Sequence, residues 1–213
     1  MDSKSRKKTT EAVRKRYNRR SLFYDLAEAP IELFRFRVWR PRFTDQVSGP
    51  KALEVGVGTG KNIAYYPPGV EISAIDLSPN MLKKARKRMN SSNLDVELKE
   101  MDVQQLEYPD NSFDTVFAAF VFCSVPDPVQ GLRELRRVCK PEGRLLLLEH
   151  MKPGNPFLAA VFNIINPFIV RLAGANVNRK TIENIETAGW EIEIEDRLAS
   201  DIVKWIVAKP IID

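Results

Sequence analysis

The sequence predicts an α/β fold in which helices cover both faces of a mainly parallel sheet. From residue 49 onward, short apolar runs alternate with helical stretches, a pattern typical of parallel sheets. A glycine-rich loop follows the first apolar run, and the acidic residue Asp76 follows the second. Ligands of doubly wound sheets bind where such strands end. A chain of 213 residues is long enough for one domain of this kind with an extension.

Residues 1–48 are predicted to form a basic helical arm and lid. Residues 1–20 contain nine Lys or Arg and two acids, a net charge of +7, whereas the rest of the chain carries −2. We expect a basic amphipathic helix that docks on an anionic membrane surface, where each nearby Lys or Arg contributes about 1 kcal/mol. A solvated, disordered arm is the alternative. The apolar residues expected on one side of this helix are Val13, Tyr17, Leu22, Phe23 and Tyr24.

Aromatic residues alternate with arginines in residues 31–43, IELFRFRVWRPRF. This mixture is favoured at the headgroup level of a membrane. It can also stack nucleic-acid bases and hold phosphates. A third interpretation is a helical cap that packs on a ligand and turns its arginines to solvent. The three interpretations are compatible with one another.

The stretch KALEVGVGTGKN, residues 51–62, combines a short buried strand with a loop that a ligand can approach closely. Gly56, Gly58 and Gly60 permit positive φ and remove side chains from the surface of the loop. Lys61 is expected to begin a helix. The N-terminus of that helix would add free N–H groups and a positive dipole end.

Two acids indicate which ligand this loop holds. Asp76 is placed to accept hydrogen bonds from a ribose diol. Glu54 stands just before the loop, where it would repel a pyrophosphate, and the loop is spaced G-x-G-x-G rather than G-x-G-x-x-G. No G-K-[ST] follows, so the loop is not a P-loop. A nucleoside with cationic groups, S-adenosylmethionine, suits both acids.

Four motifs resemble those of class I S-adenosylmethionine-dependent methyltransferases and occur in the same order. They are E-V-G-V-G-T-G at 54–60, I-D-L-S-P-N-M-L at 75–82, M-D-V at 101–103 and F-D-T-V at 113–116. The resemblance implies a Rossmann-like, seven-stranded methyltransferase sheet with helices on both faces and an N-terminal helical lid. It also implies S-adenosylmethionine as cofactor and S-adenosylhomocysteine as product.

The resemblance assigns ten residues to the cofactor. Glu54 would face the methionyl ammonium, and Asp76 would accept hydrogen bonds from the ribose hydroxyls. Asp102 would accept from the adenine amino group, and the Val103 N–H would reach an adenine ring nitrogen. Phe120 would line the methyl end. The other five would lie under the methionine part or against the adenine: Gly56, Gly58, Gly60, Leu77 and Met81.

The remaining elements follow from apolar runs and capping residues. Ser78-Pro79 is a favourable helix start. Two final strands, Trp190–Arg197 and Ile202–Ala208, have no helix between them, which fits the antiparallel last pair of a methyltransferase sheet. The other predicted strands lie near 51–55, 70–75, 94–98, 113–119 and 144–149, and the predicted helices lie near 61–65, 79–90 and 127–139.

An apolar insertion is predicted at about 153–177. Its centre, FLAAVFNIINPFIVRLA at 157–173, is too short and too interrupted to span a bilayer. It is either a core helix pair kinked at Pro167 or a substrate-side insertion that contacts acyl or prenyl chains at a membrane interface.

Three residues are candidates for catalysis. Glu149 and His150 end the fifth strand at the edge where sites occur, and Tyr24 comes from the lid. His150 is either a structural residue or a base for the acceptor. Methyl transfer is an in-line displacement that depends mainly on positioning and desolvation. Asn178 and Arg179 are expected to begin a helix and to hold a substrate phosphate.

The cysteines and the terminal residues favour a cytoplasmic protein. Cys123 and Cys139 have no spacing typical of a metal site or a disulfide framework, and no secretory signal or transmembrane segment is expected. The basic arm would then attach the protein peripherally to the inner face of the membrane.

The acceptor is predicted from outer motifs. The [DN]-P-P-[YF] signature of base methylation is missing after the fourth strand, so no nucleic-acid partner is expected. Y-D at 24–25, G-K-N at 60–62, L-L-E-H at 147–150 and N-V-N-R at 176–179 resemble bacterial-type phospholipid N-methyltransferases and membrane-associated thiol methyltransferases. This resemblance implies a phospholipid substrate, phosphatidylethanolamine. A quinone precursor, a small thiol, and a non-enzymatic lipid- or nucleic-acid-binding module are the alternatives.

Overall fold

The computed structural model describes residues 3–92, 94–199 and 202–212. Seven strands in these residues form one sheet: β1 (Lys51–Val55), β2 (Glu71–Asp76), β3 (Glu97–Glu100), β4 (Phe113–Ala119), β5 (Cys139–His150), β6 (Trp190–Leu198) and β7 (Val203–Pro210). Their order is β3-β2-β1-β4-β5-β7-β6. The first five strands are parallel, and β7 is antiparallel to both β5 and β6. The predicted fold, including its antiparallel last pair, is confirmed.

The central strands are buried on both faces, as expected for parallel strands covered by helices. In β5, Leu145 and Leu147 belong to one hydrophobic core, whereas Leu146 and Leu148 belong to the other. Successive side chains of a strand point to opposite faces, so this one apolar run supports both layers.

Four helices lie after β2 in the described residues: α4 (Pro79–Asn90), α5 (Pro128–Val138), α6 (Pro156–Ala173) and α7 (Thr181–Thr187). The predicted cap of α4 is confirmed, because Ser78 Oγ accepts a hydrogen bond from the Met81 N–H at 3.2 Å. The predicted helix at 61–65 is wrong, since only one 3₁₀ turn forms, at Ile63–Tyr65. Pro67 and Pro68 follow directly and disfavour helix before them. The expected helix dipole behind the glycine loop is therefore absent from this part of the structure.

The N-terminal residues form three helices, α1 (Ser3–Arg20), α2 (Tyr24–Ile31) and α3 (Arg37–Thr44), with a π-helical turn at Glu32–Phe36. The single amphipathic helix predicted across residues 13–24 is wrong. α1 ends at Arg20, and Leu22 and Phe23 are exposed, whereas Val13 and Tyr17 face the interior. A break after Arg20 lets the two groups of apolar residues point in different directions.

The helix α3 anchors the lid to the sheet. The Phe43 side chain is fully buried, and its ring packs edge-on against Phe117 at 6.1 Å and Trp205 at 5.5 Å. Val47, just after α3, lies in the same core. The division of the chain at residue 48 stays a prediction, but α3 shares the hydrophobic core of the sheet.

The apolar insertion is one helix, α6, which starts after Asn155 as its N-cap. The core helix pair is therefore a wrong prediction. Three large apolar side chains of α6 are exposed by 69 to 75%: Phe157, Ile164 and Phe168. In the described part of the chain, no helix has the length and apolar character needed to cross a membrane.

Candidate functional site

The main cleft opens at the carboxyl ends of β1, β2 and β4, where a doubly wound sheet places its ligands. It encloses about 720 Å³, part of it open to solvent. Its walls bring together residues from the first three cofactor motifs, from the segment after β4 and from the N-terminal helices. The predicted site residues on these walls are Tyr24, Gly56, Gly58, Asp76, Leu77, Met81, Asp102, Val103 and Phe120.

A smaller side cavity of about 350 Å³ adjoins the cleft and reaches Glu54. Tyr24, Gly56 and Phe120 line both spaces, so the two are continuous along the glycine loop. Arg40 of the lid also lines the side cavity. Sequence reasoning assigned Arg40 to a membrane or solvent face.

The glycine loop is shaped by close contacts. Gly56, Gly58 and Gly60 all have positive φ, at 67°, 57° and 82°. A Cβ on Gly56 would lie 2.4 Å from a methyl carbon of Val121, so the loop packs directly on the strand-end segment after β4. Gly60 packs on Ala85 of α4 and lines neither cavity. Its expected place under the methionine part stays a prediction.

Asp76 is held in a fixed orientation at the edge of the cleft. Its Oδ2 accepts a hydrogen bond from the Gly58 N–H at 2.9 Å, and its Oδ1 accepts one from the Ser78 N–H at 2.8 Å. Burial raises the pKa of this carboxyl to about 6, although both N–H groups oppose the shift. Each oxygen keeps a second lone pair, so the carboxylate can still accept from a sugar diol.

Glu54 is a buried carboxylate at the end of the side cavity. Asn62 Nδ2 donates to its Oε1 at 2.6 Å, and the Tyr66 hydroxyl donates to its Oε2. Burial raises its pKa to about 7, while the Tyr66 and Asn62 hydrogen bonds lower it. A bound cation would stabilise the charged form. The expected role of Glu54 toward an ammonium therefore agrees with its surroundings.

The part of the cleft near Asp102, where the adenine is expected, is covered by α1. Both carboxylate oxygens of Asp102 accept from Gln104 Nε2 at 3.0 Å, and the same nitrogen donates to Thr10 Oγ1 of α1 at 3.0 Å. The Tyr17 phenol is buried beside Ser124, and burial raises its pKa. Val13 and Tyr17 are four residues apart and form one helical stripe. This spacing was visible in the sequence, but it did not indicate what the stripe covers.

The three catalytic candidates occupy different surroundings. Tyr24 lines both cavities, with the Lys61 Nζ 5.8 Å from its ring centroid. The His150 ring packs on Phe120 at 4.7 Å. Glu149 is fully buried and lines neither cavity. Its carboxylate accepts from the backbone N–H of the two residues after Phe120, at 2.6 and 2.9 Å. We interpret Glu149 as a residue that positions the segment carrying Phe120.

The predicted phosphate site at residues 178–179 has a different structure. The helix α7 begins at Thr181, so its first turn does not include either residue. Asn178 Nδ2 donates to Asn163 Oδ1 of α6 at 3.0 Å, and Arg179 Nη2 donates to the Val125 carbonyl at 2.8 Å. Neither residue lines the main cleft or the side cavity. Asn178 bonds to α6 and Arg179 bonds to the segment after β4, and neither residue begins a helix.

Together, these groups fit S-adenosylmethionine. Asp76 meets the requirement of a ribose diol, and the buried Glu54 meets that of an ammonium. Leu77 and Met81 provide apolar walls for a purine, with Asp102 at their edge. A Cβ at Gly56 would collide with Val121, so only glycine lets the loop pack against this wall of the cleft.

Comparisons with known proteins agree with this fit. A family model for a methyltransferase domain matches residues 53–147. A phosphatidylethanolamine N-methyltransferase of Cereibacter sphaeroides is 39% identical over 115 residues, which cover 53% of this chain and 57% of that protein. A demethylmenaquinone methyltransferase of Staphylococcus aureus (strain JH9) is 33% identical over 181 residues, covering 81% of this chain and 73% of that protein. The chain thus spans little more than half the length of the first relative.

A solved structure shows the same fold. The crystal structure of a SAM-dependent methyltransferase from Aquifex aeolicus superposes with a TM-score of 0.59 at 23% identity, covering 84% of this chain and 90% of that one. At this identity the likeness concerns the fold alone.

Proposed function

Because the chain belongs to the class I S-adenosylmethionine-dependent methyltransferases, we propose that it methylates the nitrogen of phosphatidylethanolamine, and then of its methylated derivatives, at a membrane surface. S-adenosylmethionine is its cofactor, and S-adenosylhomocysteine is the product left after transfer. The phospholipid acceptor is the part of this assignment that requires an experiment.

The observation that carries the acceptor proposal is the exposed apolar surface of α6 beside the cleft. Phe157, Ile164 and Phe168 project into solvent, which is unfavourable unless they meet an apolar partner. The segment after α6 is bonded to the cleft wall, because Asn176 Nδ2 donates to the Cys123 carbonyl at 3.1 Å. A helix of this kind can lie in the interface of a bilayer and bring a lipid headgroup to the cleft. The relative named a phosphatidylethanolamine N-methyltransferase supports the same acceptor.

The basic residues of α1 add an electrostatic attraction to this surface. Exposed cations on this helix include Lys7, Lys8, Lys15 and Arg19. We infer that they face anionic lipid headgroups, which would place the protein peripherally at the inner face of the membrane.

The residues of the chain orient the reactants and exclude water. When bound, S-adenosylmethionine supplies an electrophilic methyl group on a sulfonium. Glu54 would hold the methionine end of the cofactor and Asp76 its ribose, and α1 would cover the adenine end. An amine acceptor must lose a proton before it attacks. We infer that Tyr24, on the wall of both cavities, accepts that proton in its phenolate form. His150 packs nearby on Phe120.

A quinone precursor is the second candidate acceptor. Three rings pack together around Phe120: Phe36 stacks on it with ring centroids 4.4 Å apart, and His150 is tilted against it at 4.7 Å. Such rings can hold a flat aromatic substrate. The demethylmenaquinone methyltransferase relative also covers a larger part of this chain than the phospholipid enzyme does.

Methyl transfer to defined acceptors tests the proposal. Labelled S-adenosylmethionine is incubated with the protein and vesicles that contain or lack phosphatidylethanolamine, and in parallel with a demethylated quinone and a small thiol. We expect label in the lipid fraction only when phosphatidylethanolamine is present. Label in the quinone or the thiol, and none in the lipid, would overturn the phospholipid assignment and leave the cofactor assignment intact.

A further inference from the structure

A third cavity lies beyond the end of β5, between the first residues of α6 and those of α7. It encloses about 850 Å³, part of it open to solvent. Among the described residues, it shares no lining residue with the main cleft or the side cavity. Its walls carry four cations, Lys152, Arg179, Lys180 and Lys204. The cavity therefore lies outside the site assigned to the cofactor.

Two of these four cations have an acidic partner. The Lys180 Nζ lies 2.9 Å from Glu183 Oε2, and the Lys204 Nζ lies 2.7 Å from Glu195 Oε1. These ion pairs offset two of the four positive charges, so neither lysine requires a ligand.

The other two cations, Lys152 and Arg179, make no ion pair within the part of the chain that the structure describes. Both are half-buried, and the Lys152 N–H donates to the Arg179 carbonyl at 3.0 Å, which holds the two residues side by side. Arg179 Nη2 donates to the neutral Val125 carbonyl at 2.8 Å, and its Nε is buried without a hydrogen-bond partner in the described ranges. An unpaired, partly buried cation is costly unless an anion joins it.

The electrostatics of Arg179 support the same interpretation. Burial lowers the pKa of its guanidinium, although Cys123 and Glu149 oppose the shift. Its charged form would therefore be stabilised by an anion in the cavity.

An apolar surface adjoins this pair of cations. Pro156 and Ala159 of α6 line the cavity, and the neighbouring Phe157 is exposed. Ile164 and Phe168, also exposed, follow Phe157 at intervals of seven and four residues, so the three side chains form one stripe along α6. A ligand that matches both features has an anionic group attached to apolar chains.

We propose that this cavity binds the phosphate of a glycerophospholipid whose acyl chains lie along the exposed stripe of α6. Lys152 and Arg179 supply the positive charges and N–H donors that phosphate oxygens require. Inorganic phosphate has the same polar chemistry, but it makes no use of the stripe. The inference rests on the membrane location in the proposed function and holds whichever acceptor is methylated.

Two short-chain lipids that differ in the phosphate test the proposal. Binding of dihexanoyl phosphatidylglycerol and of dihexanoylglycerol, each kept below the concentration at which it forms micelles, is measured by isothermal titration calorimetry without S-adenosylmethionine. We expect the wild type to bind the phospholipid at least about tenfold more tightly, the usual effect of a hydrogen bond between charged groups. Equal affinity for the two lipids would overturn the proposal.

Lys152→Gln removes one charge from the cavity. It should lose most of the preference for the phospholipid, bind dihexanoylglycerol as the wild type does and keep the wild-type affinity for S-adenosylhomocysteine. A parallel loss of S-adenosylhomocysteine binding would indicate a structural role for Lys152 and overturn the assignment. Lys83→Gln is the matched control, because it removes an exposed lysine of α4 that lines none of the three cavities. It should keep the wild-type preference; a loss equal to that of Lys152→Gln would reduce the effect to general charge attraction.

Inorganic phosphate distinguishes the two sources of the anion. We expect it to displace dihexanoyl phosphatidylglycerol only at concentrations at least tenfold above those at which the lipid itself binds. Displacement at equal concentrations would overturn the lipid assignment. Neither lipid is a methyl acceptor in this experiment, so its outcome is independent of whether phosphatidylethanolamine is methylated.

Discussion

Glu54 has a charge that changes near neutral pH, because burial raises its pKa to about 7 in the protein without ligand. The ammonium of the ligand binds the deprotonated form. We therefore predict that S-adenosylhomocysteine affinity falls as the pH decreases below about 7, by up to about tenfold per pH unit. Asp76, with a pKa of about 6, should steepen the loss at lower pH. Calorimetric titrations across this range measure the effect.

The control for this prediction is Glu54→Gln, which keeps the shape of the side chain and removes its titration. It should bind more weakly than the wild type near neutral pH and show a flatter profile above pH 6. An identical profile in the variant would contradict the assignment of the upper titration to Glu54.

Gly56 gives a second prediction at the scale of one residue. Gly56→Ala should destabilise the fold by more than the 1–2 kcal/mol that a left-handed backbone costs a non-glycine residue, because its Cβ would collide with Val121. It should also weaken S-adenosylhomocysteine binding more than tenfold. Gly69→Ala is the matched control, since Gly69 has a φ of 81° and no neighbour within 4 Å of an added Cβ. Urea unfolding and calorimetry check both; similar results for the two variants would refute the steric argument.

The sequence predicted individual site residues where they lie together in one short motif. Glu54, Gly56 and Asp76 lie in short strand-end segments whose chemistry identifies a ligand. Arg40 lines the side cavity and Tyr66 bonds Glu54 from other parts of the chain, and no linear spacing connects them to the loop. One signal for Arg40 was present, because it lies four residues after the buried Phe36 and three before the buried Phe43, on one helical stripe.

At the scale of elements, α1 forms part of the cleft wall rather than a detached arm. We predict that Tyr17→Ala weakens S-adenosylhomocysteine binding roughly tenfold, because it removes a buried aromatic wall worth about 1.5–3 kcal/mol if fully buried. Leu22→Ala, an exposed site just beyond the same helix, should leave the affinity unchanged. Calorimetry on both variants decides. Wild-type affinity in Tyr17→Ala would show that α1 does not cover the bound cofactor.

The helix α3 should contribute strongly to stability through Phe43. We predict that Phe43→Ala lowers the free energy of unfolding by about 3–5 kcal/mol, the usual loss for a buried phenylalanine. Phe34→Ala removes the same side chain from the same lid at a site 76% exposed, and it should have little effect. Urea unfolding measures both. A small loss in Phe43→Ala would mean that the lid folds independently of the sheet.

Elements were predictable where local signals agreed with their tertiary surroundings. The cap at Ser78-Pro79 and the helical spacing of apolar residues predicted where α4 begins and ends. The helix at 61–65 failed because Pro67 and Pro68 limit the segment to one turn. The single arm helix failed because apolar spacing alone cannot show that the chain breaks after Arg20.

At the scale of the whole molecule, the exposed face of α6 should control attachment to lipid. We predict that the combined change Phe157→Ser, Ile164→Ser and Phe168→Ser reduces sedimentation with anionic vesicles at least tenfold, because it removes the apolar side chains that would enter the interface. Affinity for S-adenosylhomocysteine should remain at the wild-type value.

The matched control is Ile212→Ser. It removes an apolar side chain that is equally exposed but lies just after β7, outside α6. It should bind vesicles as the wild type does. Full vesicle binding by the α6 variant would assign attachment to the basic helix α1 alone.

The fold of the whole molecule followed from its alternating pattern, since the order of strands and helices restricts a doubly wound sheet to few arrangements. The exposure of apolar residues on the helices could not be predicted in the same way. Apolar residues of α6 and of α1 look alike in a sequence, yet one set is exposed and the other lines the cleft. Only the packing of the helices distinguishes them.

The position of α1 over the cleft also affects how fast the cofactor can be exchanged. Two side-chain hydrogen bonds tie α1 to the sheet side: Gln104 Nε2 donates to Thr10 Oγ1, and Ser78 Oγ donates to Asn18 Oδ1. We predict that spent cofactor leaves when these contacts open, so that each round of catalysis includes one opening and one closing of α1. Helix motions of this size take microseconds to milliseconds, which sets an upper limit on how often the enzyme can reload.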